Sequence, residues 1–375
     1  MSKKIFMVSG EESGDLHGAS LIRELKKIIP GLVVKGMGGE RMREAGFEGL
    51  DSKEVSVVGI VEVIEKSPKI LARLKKLKKQ LASEAFDAAV FIDFPDFNLR
   101  LAGAAKALGI PVIYYVSPQV WAWRRGRIKK IARLVDKMLV VFPFEEPLYR
   151  EAGVDVEYVG HPLADAVKCG LTPGEACRAV GADDDATVVA LLPGSRTAEV
   201  KRHLPVMLEA AALIDKGVGG AQFLIPAARS IGDEQFNCFT SGAHLNIKVV
   251  RDRLYEALRA SSAAVVASGT ATLETALIGT PMVIIYRMSL LSYGVGRALV
   301  DVEHVGLPNI VAGRRVVEEL IQNDATPERI SGAVLDILKN SKKRNDIIKG
   351  LKEIRESLGG GASRRAAMAV AGIIS

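Results

Sequence analysis

The residues Ala267 to Arg287, ASGTATLETALIGTPMVIIYR, decide the fold. The apolar run Ala263 to Ala267 reads as the end of a buried strand and breaks at Ser268-Gly269-Thr270. A helical pattern follows through Leu273, Ala276 and Leu277, and Gly279-Thr280-Pro281 leads into a second buried run, Met282 to Ile285. Strand, small-residue turn and helix start together aim backbone N–H groups and the positive end of a helix dipole at whatever occupies the turn, and phosphate is the natural occupant. Glu274, one turn into the helix, is placed to accept hydrogen bonds from ribose hydroxyls. The plain alternative is a surface glutamate on a helix capped by Thr270.

The same alternation runs outward in both directions. Towards the N-terminus, strands are expected at Ile5–Ser9, Leu32–Lys35, Ala88–Ile92, Val112–Val116 and Met138–Val141, with helical patterns at Leu16–Ile28, Ile70–Leu81, Leu99–Leu108 and Ile128–Leu134. The second half repeats the scheme with strands at Thr187–Leu192, Gln222–Ile225, Ile247–Val250, Ala263–Ala267 and Met282–Ile285. Such alternation predicts an α/β chain with parallel sheets covered on both faces. With 375 residues, two domains are expected. Gly160-His161-Pro162-Leu163 marks the joint, which gives Rossmann-like doubly wound domains over 1–162 and 163–358 facing a cleft. After Gly359-Gly360-Gly361, a last helix over 359–375 either caps the second domain or returns to the first.

A net charge of +7 points to an anionic partner such as a phosphate ester, nucleic acid or acidic lipid. Cys169, Cys177 and Cys238 lack the spacing of a zinc site or a disulfide framework and fit a reducing cytoplasm. The opening MSKKIFMVSG reads as a first strand, too short for a secretory segment, and no apolar run reaches the length that spans a bilayer. There is no P-loop and no H-E-x-x-H, and Asp183-Asp184-Asp185 precedes a strand rather than following one, so neither a metal nor a cofactor is expected.

Ligands of open α/β sheets bind beyond the C-terminal ends of the strands, so the residues there carry the chemistry. Ser9-Gly10-Glu11-Glu12-Ser13-Gly14-Asp15 follows the first strand; its carboxylates repel a diphosphate but suit sugar hydroxyls. Asp93-Phe94-Pro95-Asp96-Phe97-Asn98 sets two carboxylates beside aromatic rings, where one can act as general base, unless Asp96 only caps the next helix. Trp121 and Trp123 stand beside the basic run Arg124 to Lys130 and can stack on sugars or lipid headgroups; without a module pattern, no nucleic acid is expected. In the second half, Arg196 in Pro193-Gly194-Ser195-Arg196 offers a permanent charge to a leaving diphosphate. Leu307-Pro308-Asn309 is a further loop that can line the cleft.

GEESGDLHGA (10–19), FIDFPDFNLRLA (91–102), YYVSPQVWAWRRGRIKKI (114–131), LLPGSRTAEV (191–200), the 267–287 stretch and LPNI (307–310) together resemble the lipid-A-disaccharide synthase family, in the family's order and over most of the chain. Glu12 stands where that family often has a small residue. The resemblance implies the GT-B fold, an acceptor-side first domain and a UDP-sugar-binding second one. It implies that UDP-2,3-diacylglucosamine donates its sugar to the 6-hydroxyl of 2,3-diacylglucosamine 1-phosphate (lipid X). The products are then a β-1,6 disaccharide phosphate and UDP, with inversion, no metal and no cofactor.

In this frame Asp96 is the base and Glu11 assists it. Arg196, Ser268, Gly269, Thr270, Ala271, Thr272 and Arg287 hold the diphosphate, and Glu274 the ribose. Glu11, Ser13, Asp15, Asn309, Trp121 and Trp123 position the sugars. Other enzymes of the fold are the alternatives: a UDP-N-acetylglucosamine epimerase, a transferase to an undecaprenyl-linked acceptor, or a two-domain binding protein without chemistry. A homodimer is compatible with the reading.

Because both implied substrates carry acyl chains, a cytoplasmic enzyme must meet them at the inner face of the inner membrane. Val57 to Ile64, followed by Ile70, Leu71, Leu74 and Leu77 among Lys66, Lys69, Arg73, Lys75, Lys76, Lys78 and Lys79, is the expected contact with anionic lipid. The competing expectation is a core-packed helix whose lysines are merely solvated.

Overall fold

The computed structural model describes residues 2–53, 68–121, 125–228, 231–242, 244–288 and 303–375. The chain divides into two compact units: Met1–Asp165 with Leu358–Ser375, and Ala166–Ser357.

In the first unit the chain runs β1 (Lys4–Ser9), α1 (Glu12–Ile28), β2 (Val33–Gly38), α2 (Glu40–Glu44), β3 (Phe47–Asp51), α3 (Pro68–Ser83), β4 (Ala88–Ile92), α4 (Pro95–Ala107), β5 (Val112–Tyr115), α5 (Ile128–Leu134), β6 (Lys137–Val140), α6 (Glu145–Glu151), β7 (Val156–Tyr158) and α7 (Pro162–Ala166). Its seven parallel strands lie in the order β3-β2-β1-β4-β5-β6-β7. The second unit runs α8 (Pro173–Val180), β8 (Thr187–Leu192), α9 (Thr197–Val218), β9 (Ala221–Ala227), α10 (Asp233–Thr240), β10 (Asn246–Arg251), α11 (Leu254–Ala260), β11 (Ala263–Ala267), α12 (Thr270–Ile278), β12 (Met282–Tyr286), α13 (Leu307–Ala312), β13 (Glu318–Ile321), α14 (Pro327–Lys339) and α15 (Ser341–Leu358). Its six parallel strands lie in the order β10-β9-β8-β11-β12-β13. Both sheets are doubly wound and reverse direction once, between β1 and β4 and between β8 and β11.

Strands flanked on both sides and covered on both faces are apolar throughout, which is why β4 (AAVFI) and β11 (AAVVA) are buried at every position. The strands absent from the sequence reading, β3 (FEGLD), β7 (VEY) and β13 (EELI), are all edge strands. With one neighbour and partial solvent access they keep glutamates and lack the continuous apolar run.

The helix α3 corrects the apolar part of the expected membrane contact and leaves its basic face exposed. Ile70, Leu74 and Leu77, with Leu81, pack into the core of the first unit, while Leu71 is exposed beside Lys75, Lys76, Lys78 and Lys79. Apolar residues spaced three and four apart form one stripe, and that stripe is already buried on the sheet. The Val57–Ile64 stretch and Lys66 lie outside the described residues. Among the described residues, no helix is long and apolar enough to cross a membrane.

The last helix, α16 (Ala362–Ile374), packs on α1 of the first unit. Its free N–H groups are met by Asp165, which accepts from Gly361 at 2.6 Å and Ala362 at 2.9 Å. Arg365 Nε donates to the Val159 carbonyl at 2.9 Å. Its inner face is made of small side chains, Ala366, Ala367 and Ala371 with Val370, which allow close approach to α1.

Candidate active site

In each unit the two strands at the switch point end side by side and deliver the loops that carry the candidate residues. In the first unit Ser9 pairs with Ile92, so the Gly10–Glu11 turn and the Asp93–Asp96 turn leave the sheet together. In the second, Leu192 pairs with Val266, which brings out the Pro193–Arg196 and Ser268–Thr270 turns as neighbours.

The Asp93 turn is strained. Asp93 (φ 47°) and Phe94 (φ 50°) are both left-handed, a conformation costly for a phenylalanine and costlier before a proline. The strain is held by a dense set of bonds. Asp93 N–H donates to the Tyr115 carbonyl at 3.1 Å. The Asp93 carbonyl accepts from Tyr114 Oη at 2.6 Å and from Asn98 Nδ2 at 2.7 Å. The Phe94 ring lies over Gly10, where a Cβ would stand 2.4 Å from a ring carbon, so only glycine lets the two loops close on each other. Burial, reinforced by the charge of Glu11, pushes the Asp93 carboxyl up to about 6. Three residues on, Asp96 sits in the first turn of α4 and is ion-paired with Arg127. It is not the N-cap; that position is Phe94, which offers no side-chain cap.

Glu11 and Ser13 are exposed at the start of α1 and free to face a ligand. Asp15 is not. Its carboxylate is buried and accepts the N–H groups of Gly39 (2.8 Å), Arg41 (3.0 Å) and Met42 (3.1 Å), so it fixes the start of α2 instead of positioning a sugar.

A residue absent from the sequence reading joins this group. Glu145, the first residue of α6 and 1% exposed, accepts from Ser117 Oγ (2.5 Å), Trp121 Nε1 (3.1 Å) and the Phe142 N–H (3.1 Å). Burial pushes its carboxyl up to about 7 against those donors. The signal was present in Phe142-Pro143-Phe144-Glu145, a carboxylate among aromatic residues after a strand, the same pattern as Asp93-Phe94-Pro95-Asp96. Trp123 lies outside the described residues.

In the second unit Gly269 (φ 148°), not Thr270, is the N-cap of α12, and no side chain caps that end. Thr270 is exposed, whereas Thr272 is buried with its hydroxyl on the Gly269 carbonyl at 2.7 Å. Ser268 Oγ donates to the Val305 carbonyl at 3.2 Å. The start of α9 is different: Glu199 accepts the N–H groups of Ser195 (3.0 Å) and Arg196 (3.3 Å), leaving the Arg196 guanidinium 73% exposed and only loosely paired with Glu199 at 3.5 Å. Glu274 accepts from Tyr255 Oη at 3.0 Å, and burial raises its carboxyl above the usual range.

Arg287 donates from its guanidinium to the Ala325 carbonyl at 2.6 Å, and its N–H donates to His203 Nε2 at 3.1 Å. That bond makes Nε2 an acceptor, so His203 carries its proton on Nδ1, 2.9 Å from the Pro193 carbonyl. The buried His203 thereby ties the Pro193 turn to the Arg287 segment. Beyond β12 and β13 a pocket of about 500 Å³ is lined by Arg202, Arg287, Met288, Gln322 and Asn323.

Asn309 corrects the sequence reading. It is fully buried; Oδ1 accepts from Val316 (2.7 Å) and Val317 (3.0 Å), and Nδ2 donates to Val317 O (2.9 Å) and Glu319 (2.7 Å). Its amide is fully occupied in holding α13 to β13, so it has nothing to offer a sugar.

A family model described as Lipid-A-disaccharide synthetase matches residues 5–373, nearly the whole chain. The chain belongs to the lipid-A-disaccharide synthase family. Relatives of that name resemble it along nearly their full length. The protein of Trichlorobacter lovleyi is 47% identical over 364 residues, covering 97% of this chain and 95% of the relative. That of Syntrophus aciditrophicus is 48% identical over 373 residues, covering 98% and 97%.

Among solved structures, a UDP-GlcNAc 2-epimerase from Neisseria meningitidis superposes with a TM-score of 0.67 at 14% identity, covering 98% of this chain and all of the other. MurG of Acinetobacter baumannii gives 0.60 at 14% identity and 99% of each chain. These likenesses establish the GT-B fold that the family resemblance implied, built on the two doubly wound domains expected from the strand alternation. As a member of this family the chain is a glycosyltransferase, and its switch-point loops are where that chemistry is to be sought.

Proposed function

We propose that the chain moves 2,3-diacylglucosamine from its UDP donor to the 6-hydroxyl of 2,3-diacylglucosamine 1-phosphate. The observation that carries this reading is the division of charge between the two switch points. The first unit presents the carboxylates Glu11, Asp93 and Asp96, which suit activation of a hydroxyl. The second presents an uncapped helix start at Gly269–Thr270 and the exposed Arg196, which suit a diphosphate.

The acceptor oxygen attacks the anomeric carbon, and the bond from that carbon to the diphosphate oxygen breaks with its electron pair leaving on UDP. The acceptor proton passes to Asp96, whose partner Arg127 holds the carboxylate in place. One displacement on an α-linked donor gives a β-1,6 product with inversion. Arg196 and the α12 start balance the charge of the diphosphate without a metal, and Glu274, steadied by Tyr255, accepts the ribose hydroxyls. Trp121 and Glu11 position the acceptor sugar.

The exposed basic residues of α3, with Leu71 among them, support peripheral binding to an anionic lipid surface from which both substrates are drawn. The test is UDP release from UDP-diacylglucosamine with and without the lipid monosaccharide phosphate. Asp96→Ala should lower turnover by about 10²-fold or more in a folded protein. Near-parent turnover in that variant would move the base to Asp93 or Glu11.

A further inference from the structure

We propose that Glu145 is the positioning residue of the Ser117–Trp121 loop, holding Trp121 in the orientation that receives the acceptor; this rests on the acceptor reading above. The loop leaves β5 through Val116, which is left-handed at φ 63°, an unfavourable state for a β-branched residue. Such a turn persists only where its surroundings fix it. Those surroundings are α6 and the turn before it. Tyr149 Oη donates to the Pro118 carbonyl at 3.2 Å. Glu145 takes Ser117 Oγ at 2.5 Å and Trp121 Nε1 at 3.1 Å on one oxygen, and the Phe142 N–H at 3.1 Å on the other. Phe144 meets the Trp121 ring edge-on at 5.3 Å and is itself stacked on Phe142 at 5.4 Å. Indole orientation is thus set by two consecutive residues, Phe144 and Glu145, while Trp121 keeps part of its surface open.

The bonding pattern favours a carboxylate. The indole and backbone N–H groups can only donate, and together with the Ser117 hydroxyl they load both oxygens of Glu145. An amide at this position would turn an N–H towards a donor, whereas a protonated carboxyl gives its one hydrogen to the Ser117 hydroxyl, which reverses that bond and weakens the acceptor set facing Trp121. Facing Glu145 are Ser117, Trp121, Tyr149 and the backbone N–H groups of Val141 and Phe142, and burial holds the Tyr149 hydroxyl well above its usual range, so it stays neutral. Glu146, next along the helix, is paired with Arg150 at 2.6 Å. With its own carboxyl raised to about 7, Glu145 changes charge near neutral pH, and gaining a proton loosens the loop.

The experiment compares the full chain with Glu145→Gln, Ser117→Ala and Trp121→Phe. Acceptor KM, donor KM and tryptophan emission are followed from about pH 5.5 to about pH 9. In the parent, acceptor KM should rise as pH falls through about 7, with a matching emission shift. Glu145→Gln should raise acceptor KM about tenfold at neutral pH, the scale of a lost hydrogen bond to a charged group. It should leave donor KM within about twofold and abolish the limb near neutrality. Ser117→Ala, a milder change that serves if Glu145→Gln does not fold, removes a bond that favours the charged form and should move the limb to higher pH.

Parent-like acceptor KM and an unmoved limb in Glu145→Gln or in Ser117→Ala would overturn the proposal. So would a raised acceptor KM in Glu145→Gln alongside an unchanged one in Trp121→Phe. Failure of the functional reading looks different: the parent releases no UDP. The pH-dependent emission shift and its loss in Glu145→Gln still test the tie between Glu145 and Trp121 in that case.

Discussion

Replacing Tyr255 with Phe removes a hydroxyl that donates to Glu274 Oε1 at 3.0 Å and changes nothing else in volume. Hydrogen bonds to charged groups contribute about 1.5–3 kcal/mol. Glu274 is only half-buried as a residue, which favours the lower figure, and about 1.4 kcal/mol is tenfold in an equilibrium constant. UDP affinity should therefore fall about tenfold. The loss has a chemical signature. Burial raises the Glu274 carboxyl and the Tyr255 bond opposes that rise, so the variant's pKa climbs further. Accepting ribose hydroxyls requires the carboxylate, a state lost as pH falls through the folded pKa, so the acid-side loss of UDP binding should begin at higher pH in Tyr255→Phe.

Calorimetric titration with UDP and with 2′-deoxy-UDP reads this directly. The parent should prefer UDP, and Tyr255→Phe should shrink that preference along with the affinity. Equal weakening towards both nucleotides would mean a purely structural effect and would refute the reasoning. A Glu274→Gln variant that keeps the full preference would refute the ribose assignment itself.

Three further outcomes are expected. Arg196→Ala should weaken UDP binding or turnover, and activity should survive EDTA; an absolute Mg²⁺ requirement, read in the same UDP-release assay, would rule out charge balance by Arg196 and the helix start alone. Asn309→Ala leaves the buried Val317 N–H and the part-buried Val316 N–H without their acceptor and should lower stability by about 2 kcal/mol in denaturant titration; a parent-like melt with impaired turnover would instead restore Asn309 to the sugar site. Changing Lys75, Lys76, Lys78 and Lys79 to Gln should reduce sedimentation with anionic vesicles at low salt without loss of fold, since all four are exposed; equal pelleting by parent and variant would move the contact elsewhere.

What the sequence made legible follows from where each residue type has a single physical use. Central strands such as β4 and β11 were readable because burial on both faces leaves only apolar residues. The edge strands β3, β7 and β13 were not, because partial exposure admits Glu48, Glu157 and Glu318 and erases the pattern. The loops at the switch points were readable as loops, through Gly10, Gly194 and Gly269, but the uses of their polar residues were not. Asp15 and Asn309 looked like ligand-binding groups, since a side chain that bonds backbone amides has the same composition as one that bonds sugar. The amphipathic stripe of α3 had the same ambiguity, because a core face and a lipid face share one periodicity. Left-handed Asp93 and Phe94 carry no compositional mark beyond the proline that follows.

The return of α16 to α1 sets an order of assembly on the ribosome. The second unit is one continuous segment, complete once Ser357 has been made. The first unit is interrupted by it, and α1, translated almost first, meets its helical partner only when Ala362–Ile374 emerges last. Domains generally fold as their chain appears, N-terminal ones first, and here the rule is inverted for part of the molecule. Until that helix is made the nascent first unit carries an unsealed flank, and the pairing that closes it joins segments far apart in the chain, a slow kind of contact to form. The first unit reaches its finished state only through Ala362–Ile374.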